Sequence, residues 1–242
     1  MTTESRTLTV SGLRVAVVRK AIKNLHLGVY PPDGRVRVAA PLAVSDAAVR
    51  VAVIGKLRWI RRQREAFERQ AREPARDMVS GESHYFRGRR YRLEVVATSG
   101  PTTITTRGHG TLVLHAQAGS TVADREQVLH GWYRDRLRVL VQRLLDKWQP
   151  LLGVEVADWG IKKMKTKWGS CNARARRIWL NLELVKKPPA CLEYVVVHEL
   201  VHLLADNHGP RFLALMDQRL PTWRRRRTEL NAAPLGNEEW GC

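Results

Sequence analysis

The sequence predicts an α+β fold, antiparallel and β-rich in its N-terminal part, and three observations carry that expectation. Short apolar stretches separated by turn residues fill 7–40 and 84–116, apolar residues recur at helical spacing over 46–72 and 121–148, and a strongly apolar segment follows paired prolines at 188 and 189. At 242 residues with 44% hydrophobic content, the chain can bury a sizeable core as one large domain or two small ones.

In the first block, LTVSGLRVAVVRK, HLGVY and GRVRVAAP are broken by Pro31, Pro32, Asp33 and Gly34, which predicts two or three antiparallel strands. Ser45 is suited to a helix N-cap, since its hydroxyl can accept from an unpaired backbone N–H of the first turn. A helix then runs from Asp46 to about Arg72, until Pro74 ends it. Its second half carries Lys56, Arg58, Arg61, Arg62, Arg64, Arg69 and Arg72, with Arg76 just beyond, so one face is strongly positive. The second strand block consists of HYFRGRRYRLEVVA, TTITT and GTLVLHA, with breaks at Gly88, Gly100 and Gly110. The alternation in RYRLEV implies one buried and one wet face. A long helix follows over 121–148, capped by Thr121 or Asp124 and closed by Pro150, with Val128, Trp132, Leu137, Leu140, Val141 and Leu144 on its buried stripe. Residues 154–184 return to strand character, and 161–177 hold seven basic residues and no acid. No internal repeat is evident. The chain divides into a β-rich region over 1–120 with one basic helix and a region over 121–242, an arrangement also open to a single compact unit.

Lys and Arg number 42 against 23 Asp and Glu, a formal charge of +19 that favours polyanionic partners without choosing among them. Neither a signal peptide nor a membrane-length apolar run is present, and Cys171, Cys191 and Cys242 are odd in number and widely spaced. A soluble cytoplasmic protein with reduced thiols and no lipid anchor is expected.

The segment HELVHLLADNH over 198–208 concentrates the chemistry. Proline fits the first turn of a helix, where its missing N–H would be unpaired anyway, so a helix is expected from about 190 to 205. On it His198 and His202 lie roughly 6 Å apart on one face, and Glu199 is rotated about 100° to the side. Both imidazoles can meet one ion, while the carboxylate stands where a general base would act on a water at that ion. His208 would be about 600° further round a continuous helix. The chain must therefore reverse, and Ala205-Asp206-Asn207 followed by Gly209-Pro210 permits it. The plainer reading, a surface helix with two solvated histidines, conflicts with the apolar setting, where unpaired imidazoles and a carboxylate are costly to bury.

The block KWGSCNARARRIWLNLELVKKPPACLEYVVVHELVHLLADNHGPRFLALM, with the earlier GRVRVAAP and KLRWIRRQ, resembles the YgjP-like metallopeptidases, a zincin family close to the SprT-like and minigluzincin proteases. The resemblance covers most of the chain. It implies a zincin-like metallopeptidase region over 121–242, Zn2+ held by His198, His202 and His208, Glu199 as catalytic base, and a cleft walled by the strand from WGSC to LN. The histidine spacing also equals that of metzincins, but Ala205 stands where they need glycine, and Met216 is too near His208 for their methionine turn.

The expected activity is zinc-dependent peptide hydrolysis on a protein or peptide substrate, with no membrane partner. Residues 176–182, RRIWLNL, are either an edge strand that pairs with substrate or an internal strand that fills the core. Cys171 is either a fourth ligand that closes the site or a buried residue of the GSCN turn. His26, His84, His109, His115 and His130 show no ligand spacing, and no residue is singled out to stabilise an oxyanion. Arg224–Arg227, with the clusters at 56–76 and 161–177, leave open a nucleic-acid surface; an alternative class is thus a nucleic-acid-binding protein with a structural zinc, which would need Cys171 as ligand.

Overall fold

The computed structural model describes residues 5–30, 34–69, 76–164 and 167–232. These divide into two compact units, the first within Met1–Glu73 and the second within Pro74–Ala233.

In the first unit β1 (Ser5–Val10) and β2 (Leu13–Lys20) form a hairpin closed by Ser11 and Gly12, both at positive φ. Such two-residue turns match the right-handed twist of the strands. β3 (His26–Tyr30) and β4 (Arg35–Pro41) form a second hairpin, and the sheet order is β1-β2-β4-β3. The expected antiparallel meander is thus replaced at its centre by a parallel pair, β2 beside β4. Alternating polarity tells which face is buried and is satisfied equally by either neighbour direction. Ser45 caps α1 (Asp46–Ile54) by accepting from the Ala48 N–H at 3.2 Å. The expected single helix is two, because α1 stops at Gly55 and α2 (Leu57–Arg69) begins beyond it. Val49, Val53 and Ile60 cover the sheet residues Val15, Val17, Val36 and Val38. The expected end at Arg72 and Pro74 lies outside the described residues.

The second unit opens with the same topology. β5 (Ser83–Phe86), β6 (Arg89–Thr98), β7 (Thr103–Arg107) and β8 (Thr111–Gln117) follow the order β5-β6-β8-β7, with β6 and β8 parallel. Equivalent landmarks recur 76 positions further along: the turn at 11 and 87, the inner strand at 35 and 111, the helix cap at 45 and 121. A repeat is therefore present in topology where none was expected from sequence. Its buried positions are merely apolar in both copies (Val36 and Leu112, Val38 and Leu114, Ala40 and Ala116), which residue identity does not reveal.

α3 (Val122–Leu152) starts in a capping box in which Thr121 and Asp124 satisfy each other's backbone N–H. Pro150 sits inside the last turn, and Gly153 at φ 65° ends the helix in the left-handed conformation that costs glycine nothing. The buried stripe runs Leu129, Tyr133, Leu137, Val141, Leu145, Trp148 and Leu152, with the expected Val128, Trp132, Leu140 and Leu144 on its flanks. β9 (Asp158–Lys162), β10 (Gly169–Asn172) and β11 (Arg177–Asn181) form a small sheet with β11 in the centre. A 3-10 turn over Leu182–Lys186 then leads to α4 (Pro189–Val201), α5 (Pro210–Arg219) and α6 (Trp223–Ala232).

α4 is buried nearly all round, which lets three successive valines stand in a helix against their strand preference. Its start is anchored by the β5–β6 turn: the Arg87 N–H donates to Val185 O at 2.8 Å and the Gly88 N–H to Lys186 O at 3.0 Å. No described helix is long and apolar enough to cross a membrane.

Candidate functional site

Helical geometry places Tyr194, His198 and His202 one turn apart along α4, and His202 is already the residue that caps it. The helix therefore ends nearer 201 than 205, and its last carbonyls are satisfied within one turn by the N–H groups of Leu203, Leu204 and Ala205. Asn207 then closes a tight turn by accepting the Gly209 N–H at 2.9 Å, and α5 starts at Pro210. That reversal carries His208 back over α4, with its Nε2 3.0 Å from His198 Nε2. One ligand nitrogen from each of His198, His202 and His208 lies within 4.8 Å of the others, the expected convergence.

Phe212, in the first turn of α5 and 1% exposed, forms the floor beneath the cluster. Its ring centroid is 4.9, 4.8 and 4.7 Å from those of His198, His202 and His208. His202 Nδ1 lies 3.2 Å from Ala205 O and donates its proton there, which leaves the Nε2 lone pair for an ion. Burial and the two neighbouring histidines push the His198 pKa down to about 3, and burial lowers that of His202. His198 is thus a neutral imidazole, and its Nδ1 is buried with no hydrogen-bond partner. Three imidazole nitrogen donors converging within 4.8 Å of one another fit a divalent transition metal far better than they fit one another.

Glu199 is 5% exposed and projects beside the cluster toward Gly169 of β10. A Cβ at Gly169 would stand 2.5 Å from Glu199 Oε1, so the bare strand makes the space in which the carboxyl lies. Burial raises its pKa to about 8, opposed in part by Lys167. The loop before β10 is held by Asn181, whose buried side chain donates to Met164 O (2.9 Å) and Lys167 O (2.8 Å).

A cleft of about 790 Å³ opens over these groups, walled by Lys167–Ala173 on one side and by Tyr194, Val195, Arg227, Leu230 and Asn231 on the other. β11 is internal, paired with β10 and β9, and its Ile178 and Leu180 fill the core. Of the two readings of residues 176–182, the internal strand is therefore the one observed, and the edge beside the histidines belongs to β10. Cys171 lines the cleft, but its thiol is outside the group of converging ligand atoms. Burial and the carboxylates of Glu199 and Asp206 push it up to about 11.

Sequence reading did not single out Tyr194, Lys167, Gly169 or Arg227. Tyr194 carried a signal, its four-residue spacing from His198; the others come from different elements, and Arg227 is concealed in a run of four arginines. His84 is buried with its Nε2 3.4 Å from Glu82 Oε2, and burial brings His130 down to about 4; neither joins a ligand cluster. Some of the basic side chains pair internally, Arg176 with Glu155, Arg177 with Asp158, Arg224 with Asp217 and Arg226 with Glu229.

The model of the family described as YgjP-like, metallopeptidase domain, matches residues 23–233. Among solved structures, the metallopeptidase zymogen of Pyrococcus abyssi abylysin is similar at 21% identity and a TM-score of 0.34, over 39% of this chain and 99% of that one. The metallopeptidase zymogen of Methanocaldococcus jannaschii jannalysin is similar at 23% identity and a TM-score of 0.32, over 38% and 91%. No curated protein matches the chain.

Proposed function

Because the chain belongs to the YgjP-like metallopeptidase family, we propose that it is a zinc-dependent peptidase in which His198, His202 and His208 hold Zn2+ and Glu199 is the general base. The observation that carries this reading is the convergence of three imidazoles beside one buried carboxyl group. When bound, Zn2+ would supply Lewis acidity, polarising the scissile carbonyl and bringing the pKa of a water toward ~7. The protein's own contribution is proton handling and placement. Glu199 takes the proton of the attacking water and returns it to the leaving amine, and its desolvated carboxyl has the high proton affinity this task needs. Phe212 and the Ala205 carbonyl fix the imidazole rings, and the edge of β10 offers backbone groups along which an extended peptide can lie.

The test is metal analysis and peptide hydrolysis on two variants. Glu199→Gln is expected to keep one zinc per chain and to lose roughly 10²–10⁴-fold in turnover, the usual worth of a general base. His208→Ala is expected to lose zinc. Unchanged turnover in Glu199→Gln refutes the assignment. The nucleic-acid reading with a structural zinc required Cys171 as ligand, and no observation favours it.

A further inference from the structure

Three charged side chains that the hydrolytic chemistry does not use line the cleft, Lys167, Asp206 and Arg227, and Arg227 is the one set on α6. On α6 it stands four residues after Trp223 and three before Leu230, both buried, so the three side chains share one stripe of the helix. That stripe is the face turned to α4, where the Trp223 ring stacks on Tyr194 at 6.4 Å. Arg227 itself is exposed, and it lines the cleft together with Leu230 and Asn231.

Its neighbours in the arginine run differ. Arg224 forks onto Asp217, and Arg226 pairs with Glu229 at 3.1 Å. No ion pair to Arg227 is formed among the described residues, and it lines the cleft with Tyr194 and His198. A guanidinium cannot shed its proton, and its planar fork of donors matches a carboxylate two bonds at a time.

Resting on the peptidase reading above, the geometry points to Arg227 as a specificity-determining residue that binds a substrate carboxylate on the Tyr194 side of the histidine cluster. Tyr194 precedes His198 by one helical turn, about 5.4 Å along α4. An extended peptide advances about 3.4 Å per residue, so the carboxylate belongs one or two residues from the bond that is cut. It is supplied either by a free C-terminus or by an Asp or Glu side chain; both offer the same two oxygens.

The experiment is equilibrium binding, by fluorescence anisotropy, of three labelled peptides to the zinc-loaded full chain carrying Glu199→Gln. The peptides share one neutral sequence and differ only in ending as an amide, ending as a free acid, or ending as an amide with one internal glutamate. One acidic peptide is expected to bind about 10- to 100-fold tighter than the neutral amide, the range of a charge-assisted hydrogen-bonded pair. Preference for the free acid identifies a terminal carboxylate, and preference for the internal glutamate identifies an acidic side chain. Adding Arg227→Gln is expected to bring the ratio near one, Arg227→Lys to keep part of it, and Arg225→Gln, a neighbouring substitution outside the cleft, to leave it intact. No preference in the parent, or a preference that survives Arg227→Gln with the fold confirmed by circular dichroism, overturns the proposal. Failure of the peptidase reading shows separately, as absence of hydrolysis of the neutral amide by the zinc-loaded native chain.

Discussion

Glu199 and Gly169 show how a single hydrogen atom in place of a methyl group positions a catalytic candidate. The carboxyl occupies the volume that any side chain on β10 would claim at position 169. Gly169→Ala must displace it, and because the obstacle is the end of a flexible side chain, the strand itself need not move. The expected outcome is a variant with native zinc content, a melting temperature within a few degrees, and turnover reduced by ~10-fold or more, since small misplacements of a reacting group are costly. Full turnover would show that Glu199 acts from elsewhere. His130 makes a different prediction. Burial, with Lys163 and Lys186, brings its folded pKa from 6.5 to about 4. As the pH falls, the unfolded chain takes up that proton first, so the group's contribution is complete above about 6.5 and is lost toward about 4. His130→Gln should therefore flatten the acid limb of stability between those pH values, measured by urea unfolding; an unchanged slope would remove His130 as a contributor. The histidine ligands and Glu199 were legible in sequence because they lie within eleven residues and helical spacing ties them together. Gly169 and Arg227 were not, because a glycine's role depends on what faces it and an arginine's on which way its helix turns.

At the scale of elements, the helices were easier to read than the strand pairings. Caps at Ser45 and Thr121 announce helix starts by local chemistry, whereas Val15 gives no sign that Val36, and not a residue of β3, lies beside it. The break after Ile54 was missed because apolar spacing continues through it, from Val53 to Leu57 and Ile60. The placement of α4 depends on an element far away in sequence. Gly88 closes the β5–β6 hairpin at φ +77°, and a Cβ there would meet Pro188 Cα at 2.9 Å. Backbone cannot give way as a side chain can. Gly88→Ala therefore combines left-handed strain with a backbone clash, of order 1–3 kcal/mol, and is expected to lower thermal stability and loosen the start of the zinc helix together. Gly108 is also at positive φ but has nothing within 4 Å of its Cβ position, so Gly108→Ala tests the strain without the clash and should cost less. Equal losses in a melting experiment would show that the Pro188 contact has no weight.

For the whole molecule, the cores decide how the chain should unfold. The first unit's buried cluster draws eleven residues from Leu8 to Ile60, and the second draws thirty-one from Met78 to Leu230, with no residue in common. The repeated strand order gives both units the same scaffold, yet only the second extends it with α3, the small sheet and the histidine helix. A unit of about 70 residues buries a smaller share of its surface than one of 150 and is correspondingly marginal. Zinc held by His198, His202 and His208 would stabilise only the unit that contains them, by RT ln(1 + [Zn]/Kd), which is about 2.7 kcal/mol at a hundredfold excess over Kd. Calorimetry of the full chain is therefore expected to show two transitions, of which zinc raises the upper and leaves the lower in place. A fragment of residues 74–233 should reproduce the upper transition and its zinc shift. One transition moving as a whole with zinc, together with a fragment that fails to fold, would mean that the two cores are energetically a single structure.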